Sequence, residues 1–277
     1  MLLFQGIVGL AAAALAGLAV YAFLIEPDRL VVERVRLPVP GLPPHLDGFT
    51  IGVISDLHLG PFVPARRIRR AAGVLARARP DLTIVAGDFV SAPEAVAQLP
   101  EALAPLKRPV GVLGNWDWRV PAMRTQTIVR LLINDGFEAA PGLWVAGVDD
   151  SRRGRPDIDA AMAKAPKSAI RILIAHEPEV ADRVRPDHRV ALQISGHSHG
   201  GQVRLPLIGP LLLPRLGRKY HTGLSAGPAC PVYTTRGVGM VHLPVRFLCP
   251  PEVTLITLTT QRPPGRGSAA ADPPPQP

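Results

Sequence analysis

Three hydrophobic patterns run along the chain of 277 residues. The first is an unbroken apolar stretch over 2–25, with no charged side chain and Gln5 as its most polar member. About twenty apolar residues suffice to cross a bilayer as a helix. No Lys or Arg precedes the run, unlike the basic start of a cleavable signal. It reads as a membrane anchor over 1–25, with a signal sequence cut near 14–16 as the rival. The second pattern is a series of short apolar runs that close on polar or glycine-containing turns: 50–55, 82–86, 110–113, 143–148, 170–175, 190–194, 232–235 and 253–259. Such runs predict buried strands. The third has helical spacing. Ile68, Ala71, Ala72 and Leu75 share one face over 64–79, with Pro64 suited to the start. Helices are also predicted over 94–103, 123–132 (closed near Gly136), 158–164 and 180–184.

Strand and helix patterns alternate, so the body over 37–262 is α/β with its helices outside the sheet. Residues 263–277 are Pro, Gly, Ala and Ser with little that could pack, and predict a disordered tail. Within the body, 205–213 is an apolar, proline-interrupted loop. A soluble surface seldom exposes such a patch, so it either packs on the protein, covers an acyl chain or dips into a bilayer.

Composition narrows the reading. With 47% hydrophobic and 19% charged residues the chain is not mostly disordered. Two cysteines exclude a disulfide framework or a zinc ribbon, and Cys230 and Cys249 are expected as buried free thiols. The 31 basic residues against 22 acidic give a net charge of +9, nearly all from arginine, since only Lys107, Lys164, Lys167 and Lys219 are lysines. Arginine excess favours phosphates or an anionic surface. No nucleic-acid module is visible, so no nucleic-acid partner is expected. Nothing in the pattern specifies an oligomeric state.

The chemistry lies at five strand ends: Asp56-Leu57-His58; Gly87-Asp88; Gly114-Asn115-Trp116-Asp117; His176; and Gly196-His197-Ser198-His199-Gly200-Gly201. In open α/β sheets, sites form where strands end. Carboxylate, carboxamide and imidazole together suit divalent Mn, Fe or Zn. Seven ligands exceed one four-coordinate ion but suit a pair sharing a carboxylate, the usual clamp for phosphoryl displacement.

In these motifs, in this order, the chain resembles the calcineurin-like metallophosphoesterases over roughly 50–258. The resemblance implies a four-layer αββα sandwich of two mixed β-sheets flanked by helices, following the N-terminal transmembrane helix. It implies two divalent metal ions, one held by Asp56, His58, Asp88 and His199, the other by Asp88, Asn115, His176 and His197, with Asp88 as the bridge. It also implies hydrolysis of a phosphoric ester or anhydride, with Asp88, Asn115, Asp117 and His197 in the catalytic set. The anchor, the stretch 55–60 and the closing segment 244–252 look most like a membrane-anchored bacterial branch. That branch includes enzymes similar to UDP-2,3-diacylglucosamine pyrophosphatase of lipid A synthesis. A phosphorylated, lipid-linked substrate at the bacterial inner membrane is the expectation this carries.

One position departs from the family. Its third motif usually reads Gly-Asn-His-Asp, and here Trp116 replaces the histidine. An indole cannot protonate a leaving group, and general acid catalysis is typically worth about 10²–10⁴-fold. The departure has three readings: a catalytically weak metal-binding scaffold at the membrane, a substrate such as a diphosphate whose leaving group needs no acid, or His221 or His242 supplying the proton from another loop. Trp116, Arg236 and Arg246 are the candidate substrate-binding residues. Arg66, Arg67, Arg69 and Arg70 follow the first motif closely and either form a solvated helix face or meet phosphate or lipid head groups.

Overall fold

The structure, a computed structural model, describes residues 1–260, so the tail at 263–277 lies outside the described residues. The chain opens with helix α1 (Leu2–Val20), prolonged by a wider turn over Tyr21–Ile25 and a tight turn over Glu26–Asp28. Then follow β1 (Val31–Pro38), β2 (Thr50–Ile54), α2 (Ala65–Arg77), β3 (Leu82–Val85), α3 (Leu99–Leu103), β4 (Val110–Gly111), β5 (Arg130–Leu131), β6 (Asp135–Ala140) and β7 (Leu143–Gly147). The second half holds α4 (Ile158–Met162), β8 (Ile170–Ile174), β9 (Val190–Ser195), a small hairpin of β10 (Arg204–Leu205) and β11 (Gly209–Pro210), β12 (Gly223–Ala226), β13 (Pro231–Thr234) and β14 (Glu252–Thr259).

Two six-stranded mixed sheets form, in the orders β1-β14-β2-β3-β4-β5 and β12-β13-β9-β8-β7-β6. Side chains alternate along each strand, and in the central strands β2, β3, β7 and β8 both faces are buried. Ile51 and Val53 of β2, Ile84 of β3, Val145 of β7 and Ile172 and Ile174 of β8 meet between the sheets. Ile54 and Val85 point the other way, onto Ile68, Ala72 and Leu75 of α2 and Leu99 and Leu103 of α3. Trp144, Ala146 and Leu173 pack outward on Ile158, Ala161 and Met162 of α4. The result is the expected αββα sandwich. Strands β2 to β5 run parallel to one another, as do β7, β8, β9 and β13, so each sheet gathers several strand ends on one edge.

Two expectations need correction. No helix spans 123–132: a tight turn covers Pro121–Arg124, and β5 follows. The stretch has helical spacing of apolar positions, but Thr125, Thr127, Ile128 and Val129 are β-branched and stiff. The Gln126 side chain also binds the backbone of Ile128 and Val129, holding a non-helical turn. Second, the folded body starts before residue 37. Strand β1 pairs along its full length with β14, from Val31 opposite Glu252 to Pro38 opposite Thr259.

At the N-terminus, Phe4–Asp28 is long and apolar enough to cross a membrane, with mean hydropathy 2.3. Its end is tied to the body. The Ala22 carbonyl accepts from Arg246 N–H at 3.0 Å. The buried Glu26 carboxylate accepts the N–H groups of Leu248, at 2.9 Å, and Cys249.

Candidate metal centre

The chain turns sharply at five of the seven ligand candidates. Asp56, His58, Asp88, His197 and His199 all have left-handed backbones, with φ between 46° and 69°. Such conformations cost about 1–3 kcal/mol for a residue with a side chain and cluster at functional sites. Two glycines leave room. A Cβ on Gly114 would lie 2.3 Å from Asp88 Oδ1, and one on Gly87, whose φ is +91°, would lie 2.4 Å from His176 Nδ1.

These turns bring together two sets, Asp56, His58 and His199 in one and Asp88, His176 and His197 in the other. Within each set the ligand atoms lie within 4.8 Å of one another, and all six residues are buried. Asp88 Oδ2 faces both sets, at 3.5 Å from His58 Nε2 and 3.3 Å from His176 Nε2. His199 Nε2 is 3.5 Å from Asp56 Oδ1 and 3.1 Å from His58 Nε2.

Outer partners fix which ring nitrogen is free. The Ser91 hydroxyl donates to the His58 carbonyl, so its oxygen accepts from His58 Nδ1 at 3.1 Å, leaving Nε2 as the lone pair. His176 Nδ1 donates to the Ala86 carbonyl at 2.8 Å. His197 Nε2 donates to the Arg215 carbonyl at 2.8 Å, which turns its free Nδ1 toward His176 Nε2, 3.2 Å away. Asp56 is held by the Ser55 hydroxyl at 2.7 Å and the His197 N–H at 3.0 Å. Asp88 Oδ1 accepts the Trp116 N–H at 2.8 Å.

The electrostatics favour cations. Burial pushes His58 and His197 down to about 4, so both stay neutral. Burial also pushes Asp56 up to about 6, helped by the nearby Asp88 charge. At His176 burial is outweighed by the Asp88 carboxylate, which raises the imidazole well above its usual range. The donor set fits two divalent ions on two further observations. Asn115 Oδ1 and His199 Nδ1 are buried with no hydrogen-bond partner, and the Nε2 atoms of His58 and His199, on two imidazoles that burial keeps neutral, face one another at 3.1 Å. Asn115, 4% exposed, lies beside Asp88 at the head of the cleft.

The cleft has a volume of about 510 Å³. Asp88, Asn115, Trp116, His197 and His199 form its polar end, while Leu211, Leu212, Leu213, Val241, Leu243 and Val245 form an apolar wall. Trp116 meets the His58 ring edge-on at 5.5 Å and carries the Arg119 guanidinium at 4.4 Å. His242 also lines the cleft, 5.9 Å from the Trp116 ring. His221 is not among the lining residues; its carbonyl accepts the Ser198 hydroxyl.

Three expected site residues stand elsewhere. Asp117 is fully buried, and its carboxylate accepts the N–H groups of Phe89, Val90 and Gly114. It clamps two ligand-bearing loops and does not reach the cleft. Arg246 is 0% exposed and spends its donors on the carbonyls of Arg236, Gly237, Gly239 and Cys249. That web stiffens the segment whose Val238 and Gly239 N–H groups bind the Ser55 and Asp56 carbonyls. Arg236 is neutralised by Glu33 and Glu252. Neither arginine is placed to take a phosphate. The arginines of α2 do not line the cleft either: Arg67 pairs with Asp28 and Arg69 with Glu101.

The sequence reading missed Arg152. It lines the cleft from the loop after β7, where Asp150 Oδ1 accepts the N–H groups of Arg152 and Arg153. Val148-Asp149-Asp150 is a polar turn closing a strand, the same signal that marked the other five ends.

Known proteins share this pattern. The calcineurin-like phosphoesterase superfamily domain matches residues 49–205. The uncharacterized metallophosphoesterase YkuE of Bacillus subtilis is 33% identical over 257 residues, covering 86% of this chain and 88% of that protein. Phosphodiesterase YaeI of Escherichia coli is 31% identical over 223 residues, covering 76% and 82%. A transmembrane protein with metallophosphoesterase domain from Danio rerio is 30% identical over 274 residues, covering 88% of this chain and 60% of its own length. The chain belongs to the calcineurin-like phosphoesterases, metal-dependent hydrolases of phosphoric esters that use two divalent ions.

Proposed function

We propose that the protein cleaves a phosphodiester or diphosphate bond in a lipid-linked substrate at a membrane surface. A nucleotide-linked glycolipid such as UDP-2,3-diacylglucosamine, of lipid A synthesis at the bacterial inner membrane, is the candidate. The observation that carries this reading is the cleft itself, which is lined both by a buried cation-binding cluster and by a group of leucines and valines. A phosphate group suits one end and an acyl chain the other. The anchor reading of α1 supports the same location.

Asp56, His58, Asp88 and His199 would hold one ion, and Asp88, Asn115, His176 and His197 the other, with identity among Mn, Fe or Zn. Bound divalent ions would supply Lewis-acid charge and lower the pKa of water. The chain's own residues do the rest. Ser91, Ala86 and Arg215 each take one ring nitrogen of an imidazole, so that the other ring nitrogen faces the cluster. Arg152 stands at the cleft wall to meet phosphate oxygens. Water forms the new bond to phosphorus as the bridging P–O bond breaks. When the group leaving is itself a phosphate, with a second pKa near 6, it departs without a proton donor. Trp116 suits that chemistry, while its indole lines the path of the leaving group.

The test compares UDP-2,3-diacylglucosamine, an activated diester and an alkyl monoester with Mn²⁺ supplied, Asp88→Asn alongside. The diphosphate and the diester should turn over well above the monoester, and the variant should be inactive. Faster monoester cleavage would refute the leaving-group argument. Equal rates for wild type and variant, with folding intact, would leave the metal-binding scaffold that Trp116 allows.

A further inference from the structure

We infer that the hairpin over 203–213 and the adjoining 243–248 segment form a second membrane contact, seated in a phospholipid bilayer beside α1. The substrate then reaches the cleft sideways from the lipid. The inference rests on the reading of α1 as an anchor and deepens the proposed function.

The surface is apolar and contiguous. Leu207, Ile208 and Leu212 are 108%, 70% and 82% exposed, and Leu211, Leu243 and Leu248 are exposed beside them. Scattered exposed leucines are ordinary, but a patch is not. The hairpin tip is a three-residue turn closed by Ile208 N–H on the Pro206 carbonyl at 2.8 Å, with Leu207 at φ +65°. Gly, Asn or Asp adopt that conformation with least steric cost. A leucine there spends backbone strain to push an apolar group outward.

Hydrogen bonds tie the patch to the anchor. Phe247 N–H donates to the Gln202 carbonyl, Arg204 N–H to the Phe247 carbonyl, and Leu211 N–H to the Val203 carbonyl. The same segment meets the end of the apolar helix: Phe247 packs edge-on to Tyr21 at 6.1 Å, Arg246 N–H binds the Ala22 carbonyl, and Leu248 N–H binds Glu26. The hairpin root is therefore one segment away from the point where the helix leaves the body. Leu211, Leu212 and Leu243 belong at once to this patch and to the cleft wall, so the cleft opens through it. Arg215 and Arg218, exposed just beyond the loop, match anionic head groups.

The full-length protein reconstituted in phosphatidylcholine–phosphatidylglycerol vesicles tests this. Both native cysteines are buried, so a single introduced cysteine can carry an environment-sensitive fluorophore. Ile208→Cys should show blue-shifted emission quenched by nitroxide lipids, and Arg77→Cys on exposed α2 should not. Leu15→Cys reports on the anchor separately. Quenching at 15 with water-like emission at 208 overturns the docking and leaves the anchor standing. Quenching at 208 without 15 supports the docking and sinks the anchor. Water-like emission at both sinks both. A functional arm uses the double variant Leu207→Asp/Ile208→Asp. Hydrolysis of dioleoylglycerol p-nitrophenyl phosphate in vesicles should fall about tenfold, from the loss of two apolar groups inserted in lipid. Hydrolysis of soluble bis(p-nitrophenyl) phosphate should hold. An equal fall, or none, on the two substrates refutes the inference.

Discussion

Asp88 and Leu212 line the same cleft and are held in opposite ways. Asp88 is 2% exposed, with one oxygen fixed by the Trp116 N–H and the other facing imidazoles of both sets. Leu212 is 82% exposed. The polar end is specified from within, by buried hydrogen-bond partners that orient Asp56, His58, Asp88, His176 and His197. At the apolar end the leucines meet little of the protein itself, so they point to something outside it. A rigid reacting end and an open recognition end let one chemistry be aimed at a substrate class.

Four measurements would break or sharpen that contrast. Asp88→Asn removes the carboxylate that faces both sets and should lower metal-dependent hydrolysis about 10³-fold, read as kcat on an activated diester with folding checked by circular dichroism. Trp116→His should raise alkyl monoester hydrolysis by about 10²-fold, the worth of a proton donor, and change diphosphate cleavage little. An equal gain on both substrates would mean that Trp116 obstructs the cleft rather than selecting the leaving group. Proton competition comes next. In the metal-free protein Asp56 is raised to about 6, so below that pH its proton must leave before a cation binds. Affinity for Mn²⁺ should therefore rise with pH through the neutral range, because raised His176 must also lose its proton, and should fall more steeply below pH 6, by about a further tenfold per unit for the Asp56 proton, as calorimetry at several pH values would show. The smallest effect is expected from Arg152→Ala, at the boundary of the two ends. KM should rise about fivefold to tenfold from a lost charged hydrogen bond, with kcat nearly unchanged.

The ligand-bearing turns were legible because each follows a short apolar run, and a polar residue just past a buried strand has few reasons to be there. The αββα layering followed from the alternation and the family resemblance together. What the sequence hid depends on neighbours distant in the chain. Arg246 and Arg236 carry the charge a phosphate would want, yet carbonyls of their own loop and two glutamates far apart in sequence take up their donors. Asp117 sits in the third motif beside real cleft residues, but its carboxylate points backward into three backbone N–H groups. Strand β1, with Glu33, Arg34 and Arg36 among its valines, has no apolar run to mark it; only pairing with β14 makes it a strand. Edge strands are often this polar.

The left-handed turns at Asp56, His58, Asp88, His197 and His199 have a consequence for the cell. Each raises the free energy of the native state, and the five together hold an appreciable part of the ~5–15 kcal/mol that a folded domain has in hand. A ligand that binds only the native form offsets such a debt by mass action. The amount of enzyme surviving proteolysis should then track the supply of divalent ions, so starvation for the ion would thin the protein's population as well as idle the molecules that remain.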